Sequence, residues 1–156
     1  MASSLPTVPR VVFTIVEPIS LVGGFLGAVA DPAWFVAEQI PNTTPAISNN
    51  SVIIASQLGN LYLLLAFIGL AVLNTSREIE VVRAYLFALW LGDIGHVFFS
   101  ARGLGQSLLG NPGAWNAMAW GNVAFTVWLF VMRSAYFLGI FGPDRVVAAS
   151  VVKKRA

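Results

Sequence analysis

Four apolar stretches, each about 20 residues long, dominate this chain and leave it few ways to fold. They run from about Val11 to Ala30, Val52 to Leu73, Val81 to Ala101 and Ala117 to Phe141. A helix rises about 1.5 Å per residue, so each is long enough to cross a hydrocarbon core about 30 Å thick. What remains cannot coat a soluble domain. Of 156 residues, 57% are apolar and only 10% charged, against about 25% charged in soluble domains. Disorder is excluded as well, since it needs low hydrophobicity and high charge. The sequence therefore predicts an all-α, integral membrane four-helix bundle, a single transmembrane domain over residues 1–156. Pro18 inside the first run, with no clean cleavage site after it, reads that run as a span and not a removed signal.

Basic residues set the expected orientation. Arg10 precedes span one, Arg77 and Arg83 flank the loop into span three, and Arg145, Lys153, Lys154 and Arg155 follow span four. Only Arg102 falls on the other side. The positive-inside rule then places both termini in the cytosol. Loop one, about Asp31 to Ser51, faces the lumen with sequons at Asn42 and Asn49, while the sequon at Asn74 is cytosolic and silent. Luminal sequons without another targeting signal point to the endoplasmic reticulum. Trp34, Trp115 and Trp120 read as headgroup anchors at the luminal boundary. Gly23 with Gly27, and Ala55 with Gly59, are small-residue pairs that let helices approach closely. Their first use is packing this bundle, and they also admit a homo-oligomer.

Whole classes of chemistry drop out. With no Cys and one His there is no disulfide, thiolate or multi-histidine metal site. The net charge of +2 is too small and too scattered for nucleic acid. No phosphate-binding loop or redox carrier is visible, so no cofactor is expected. Ser56 and Ser100 lie outside any nucleophile-elbow motif.

The few polar residues inside the spans are then the candidates, because an ionisable side chain in the membrane is expensive. Glu17 lies about 9 Å from the cytosolic end of span one, and Arg133 about 12 Å from that of span four. Equal depth and opposite sign predict an ion pair between spans one and four, or an acid–base group with Arg133 beside it. A second group lies in the luminal half. Asp93 and His96 in Gly92-Asp93-Ile94-Gly95-His96 share a helix face. Gln57, Asn60 and Asn122 reach the same level, about 8 to 12 Å below the luminal surface, with Asp31 above them. On these depths Glu17 and Asp93 are about 8 Å or more apart, which argues against their acting together. Gly92 and Gly95 make room for another helix or for a ligand. Such a set suits proton transfer: epoxide opening, ring closure, double-bond migration or hydration. Tyr62, Trp90, Phe98, Phe99, Phe125 and Trp128 are candidate linings for an apolar pocket.

At residues 1–41, most specifically in LPTVPRVVFTIVEPISLVGGFLGAVADPAWFV, and again at the G-D-I-G-H run, the chain resembles a family of small fungal integral membrane proteins with four spans. Some members are assigned as epoxide hydrolases or cyclases in polyketide pathways to aurovertin- and citreoviridin-type polyenes. The resemblance implies an apolar, epoxidised polyene substrate taken from the bilayer. Joined to the depth reading, it makes Asp93 the base with His96 relaying, and Asp31 or Glu17 the acid. Gln57, Asn60, Asn122, Arg133, Tyr62 and Trp90 then bind substrate. Two other readings use the same residues: a sterol- or terpene-type isomerase or cyclase, and a non-enzymatic lipid-binding or scaffold protein whose polar layer only sets helix register.

Overall fold

The computed structural model describes residues 4–145, so Lys153, Lys154 and Arg155 lie outside the described residues. The described chain is helical, with no strand. In chain order it forms α1 (Thr7–Ala30), a short α2 (Pro32–Ala37), α3 (Asn49–Thr75), α4 (Ile79–Leu109) and α5 (residues 117–137). Among the described residues, α1, α3 and α4 are long and apolar enough to cross a membrane. Helix α5 is not among them; it carries Asn122, Arg133 and Ser134 within a shorter apolar run.

Local chemistry explains the helix boundaries and irregularities. Pro18 has no N–H, and its ring crowds the carbonyl four residues back, at Thr14. Helix α1 widens into a π-helical turn over Val12–Val16, just before Glu17. Asp31 stops α1 and caps α2, its carboxylate accepting from the Trp34 N–H at 2.9 Å. Ser48 and Ser51 form a reciprocal capping box at the start of α3. Helix α4 runs past the expected end near Ala101 to Leu109, bending at Gly105, whose φ of 73° suits glycine. Helix α5 contains a second π-helical stretch, Trp120–Phe125. It ends at Phe137, short of the expected Phe141, because left-handed Gly139 (φ 74°) closes it. There the Gly139 N–H donates to Tyr136 O and the Ile140 N–H to Ala135 O, both at 3.0 Å.

The helices pack as two pairs, α1 on α3 and α4 on α5. Ala55 and Gly59 serve the first pair as expected. A Cβ on Gly59 would come within 2.9 Å of the Ala28 and Val29 side chains. Gly23 does not: a Cβ there meets nothing within 4 Å. An aromatic ladder holds the second pair, Phe87 stacking on Trp90 at 5.8 Å and Trp90 on Phe130 at 5.3 Å. The pairs meet at one end around Leu5, Val12, Phe13, Leu73, Val82, Leu86, Leu129 and Tyr136. There Arg83 pairs with Asp144 at 2.6 Å, and the Arg145 N–H donates to Ser4 O at 2.7 Å. Away from that end the pairs separate and enclose a cavity. The outer surface is apolar, with Ile15, Ile54, Phe67 and Phe99 exposed while Glu17, Asp93 and Arg133 are buried. This inverts the usual soluble arrangement and suits a hydrocarbon surround.

Candidate functional site

The cavity between the helix pairs has a volume of about 430 Å³. Its walls are largely apolar, from Leu21, Phe35, Leu65, Leu89, Met118 and Phe125. Its polar groups come from four helices: Glu17 and Ser20 of α1, Tyr62 of α3, Asp93 and His96 of α4, Asn122 and Thr126 of α5. Three bordering glycines, Gly23, Gly92 and Gly121, would each place a Cβ into open space. Gly92 thus faces open cavity and not another helix.

Arg133 organises the acidic side of the cavity from behind. It is wholly buried. Its Nη1 donates to Asp93 Oδ2 at 2.5 Å, and its Nη2 donates to Glu17 Oε1. The guanidinium lies over the Phe13 ring, 5.1 Å from the centroid, and its Nε has no protein partner. One cation holds two carboxylates that both reach the cavity. The fork-shaped donor geometry of arginine permits this bridge, which lysine, a point charge on a flexible stem, would not fix.

The structure redraws the predicted site. The Glu17–Arg133 pair forms as expected. The separation of Glu17 from Asp93 is overturned, because α4 continues to Leu109 and leaves Asp93 near the middle of its helix. Asp31 is exposed and engaged in capping, outside the cavity lining. Gln57 and Asn60 are exposed on α3 and also absent from the lining. They match the others in depth but not in azimuth. Gln57 lies two residues, about 200°, from Ala55 on the buried face. Trp90 is spent on the aromatic ladder and donates to Ser134 Oγ at 2.9 Å. Arg133 sits behind the lining, positioned for the carboxylates and not for a ligand. Tyr62, Asn122 and Phe125 do line the cavity, whereas Phe98 and Phe99 are exposed. Trp115 is not a free anchor: it packs edge-on to Trp120 and donates to Leu108 O at 2.7 Å.

His96 shares the cavity with Asp93 and with Asn122. Asn122 Nδ2 donates to Gln39 Oε1 at 3.1 Å. Gln39 and Phe35 went unnoticed in the sequence. Phe35 lies on the short α2 and Gln39 in the turn after it, and nothing in their spacing marks them as cavity residues. Among the described residues, no group of three or more His, Cys, Asp or Glu is arranged to hold a metal ion.

A family model described as Domain of unknown function (DUF7704) matches residues 2–143. The chain belongs to that family. No curated protein and no solved structure matches it. The DUF7704 match takes in every residue that builds the site, from Glu17 in α1 to Arg133 in α5.

Proposed function

We propose that this protein is a membrane-embedded epoxide hydrolase or cyclase, with Glu17 and Asp93 as its acid–base pair. One observation carries the reading: Arg133 ties two carboxyl groups from different helices together at the edge of an apolar cavity. Two carboxylates and one guanidinium leave a formal charge of −1 in an apolar setting, and a single proton on one carboxyl removes it. The site then holds one acid and one base side by side, as epoxide opening requires.

In this mechanism the Glu17 carboxyl gives its proton to the epoxide oxygen as the C–O bond breaks. The Asp93 carboxylate takes a proton from the attacking oxygen, which forms the new C–O bond. If that oxygen belongs to water, the product is a diol; if to a hydroxyl of the same substrate, a cyclic ether. The proton gained by Asp93 returns to Glu17 to close the cycle, while Arg133 holds both groups throughout. His96 orients the attacking water. An epoxidised polyene suits the cavity because it partitions into the bilayer and meets mostly apolar walls.

The arrangement in the membrane belongs to the same proposal. Four spans include α5, whose charge is hidden by the triad, and both termini lie in the cytosol of an endoplasmic reticulum membrane. The shared end of Ser4, Arg83 and Arg145 supports grouping the termini on the basic side. A second reading, a sterol- or terpene-type isomerase or cyclase, is favoured by Trp34, Phe35, Tyr62 and Phe125 around the acids, since aromatic faces stabilise cations.

Purified protein offered an epoxidised polyene and a cyclisable terpene separates the two. The epoxide reading expects conversion of the first only, with Asp93→Asn slowing it by about 10²–10⁴-fold. Unchanged turnover in Asp93→Asn would remove that residue from the chemistry. No conversion of either substrate would leave the buried triad as a register-setting device in a lipid-binding or scaffold protein.

A further inference from the structure

A second, smaller cavity of about 180 Å³ adjoins the first. Its lining includes Gln39, Ser100, Gly103 and Asn122, with Phe99 and Leu104 as apolar wall. Asn122 belongs to both cavities. At this shared residue Asn122 is hydrogen-bonded to Gln39, whose own Nε2 donates to Phe35 O at 3.1 Å. Phe35 lines the main cavity. The Asn122 Nδ2 is committed to Gln39, and Asn122 shares the main cavity with His96.

The two cavities differ in what they can hold. A water molecule occupies about 30 Å³ in the liquid and needs two to four polar partners when buried. The small cavity has room for several waters and offers three polar side chains, Gln39, Ser100 and Asn122. The main cavity is larger and mostly apolar, and its carboxylates are engaged by Arg133. Polar side chains thus follow one another from Ser100 and Gln39 in the small cavity, through Asn122 in both, to His96 and Asp93 in the main one.

We infer that the smaller cavity is the water chamber of this site, and that the Gln39–Asn122 hydrogen bond is the partition metering its water into the main cavity past His96. The use of that water rests on the epoxide reading; the presence of the chamber does not. Hydrolysis consumes one water per epoxide opened, whereas closure by an internal hydroxyl consumes none. A partition that restrains water therefore favours the cyclic ether over the diol. Gln39 and Asn122 act as positioning residues that set this balance.

The chain contains no cysteine, so single cysteines report access directly. Protein in detergent micelles carrying Ser100→Cys or Leu129→Cys is treated with a small, permanently charged methanethiosulfonate, with Thr44→Cys as the exposed-loop reference. Leu129 lines the main cavity and is buried. Ser100→Cys is expected to react at a rate near the reference and Leu129→Cys much more slowly. Adding Gln39→Met, which keeps bulk but removes the accepting oxygen, should speed Leu129→Cys by about three- to tenfold, the worth of one hydrogen bond. The rate at Ser100→Cys should not change. Gln39→Glu retains the acceptor and should keep Leu129→Cys slow. An inert Ser100→Cys, or a Leu129→Cys rate indifferent to Gln39→Met, overturns the inference. With an epoxide substrate, Gln39→Met should raise the diol-to-ether ratio. Labelling as expected in a protein that converts no epoxide would retire the epoxide reading and keep the chamber. Conversion without labelling would do the reverse.

Discussion

Arg133 is the residue on which most else depends. It is buried without any exposed surface, yet both of its terminal nitrogens find carboxylates from other helices. Removing it leaves Glu17 and Asp93 buried with no cation, which costs about 3–5 kcal/mol. Arg133→Leu should therefore lower the melting temperature in detergent by many degrees. Replacing Glu17, Asp93 and Arg133 together by leucines should recover most of the loss, because an apolar core of similar volume does not need the pair. An Arg133→Leu variant that melts like the parent would mean that the carboxyls are already neutral or solvated. The ion pair with Glu17 was legible in the sequence, since depth along two helices needs only residue counting. The bridge to Asp93 was not, because it depends on where α4 ends, and an Arg-Gly-Leu-Gly segment following an apolar run reads as a boundary.

At the scale of elements, the two pairs of small residues in α1 and α3 have opposite duties. Gly59 faces α1 at contact distance, while Gly23 faces the cavity. Gly59→Leu should overpack the α1–α3 seam and cost about 1–3 kcal/mol. Gly23→Ala should cost nothing measurable, and thermal melts of the two variants check the contrast. A G-x-x-x-G spacing identifies a smooth helix stripe but cannot say whether a helix or a void lies opposite. The π-helical turns make a similar point. Pro18, which has no N–H to donate, disrupts the backbone beside Glu17, and the turn at Val12–Val16 is the form this takes. The turn over Trp120–Phe125 carries Asn122 and has no proline within it to announce it. π-Helical turns are frequent at functional sites, and both of these adjoin the cavity.

For the whole molecule, the decisive property is the inversion of polarity, with exposed isoleucines and phenylalanines outside and charges inside. Composition predicted the apolar exterior, since so few charged residues cannot coat it; that Glu17, Asp93 and Arg133 lie inside came from their positions within the spans. Orientation is a separate matter and can be measured without knowing the activity. In sealed microsomes with the cytosolic face outward, Ser76→Cys should react with an impermeant maleimide. Thr44→Cys should stay protected until detergent is added. The opposite pattern would invert the proposed topology and place loop one in the cytosol.

By itself, the sequence determined that the chain is helical and apolar and that Glu17 and Arg133 lie at matching depth; the depth of Asp93 it misplaced, because the end of α4 was misplaced. These are one-dimensional properties, set by hydrophobic run length and by a fixed rise per residue. Only the tertiary structure decided which polar residues meet. Azimuth put Gln57 and Asn60 outside, capping occupied Asp31, and a buried guanidinium joined Glu17 to Asp93. The physical reason is that a helix face is set by rotation about its own axis and by what packs against it. Neither can be read from the number of residues to the end of a span.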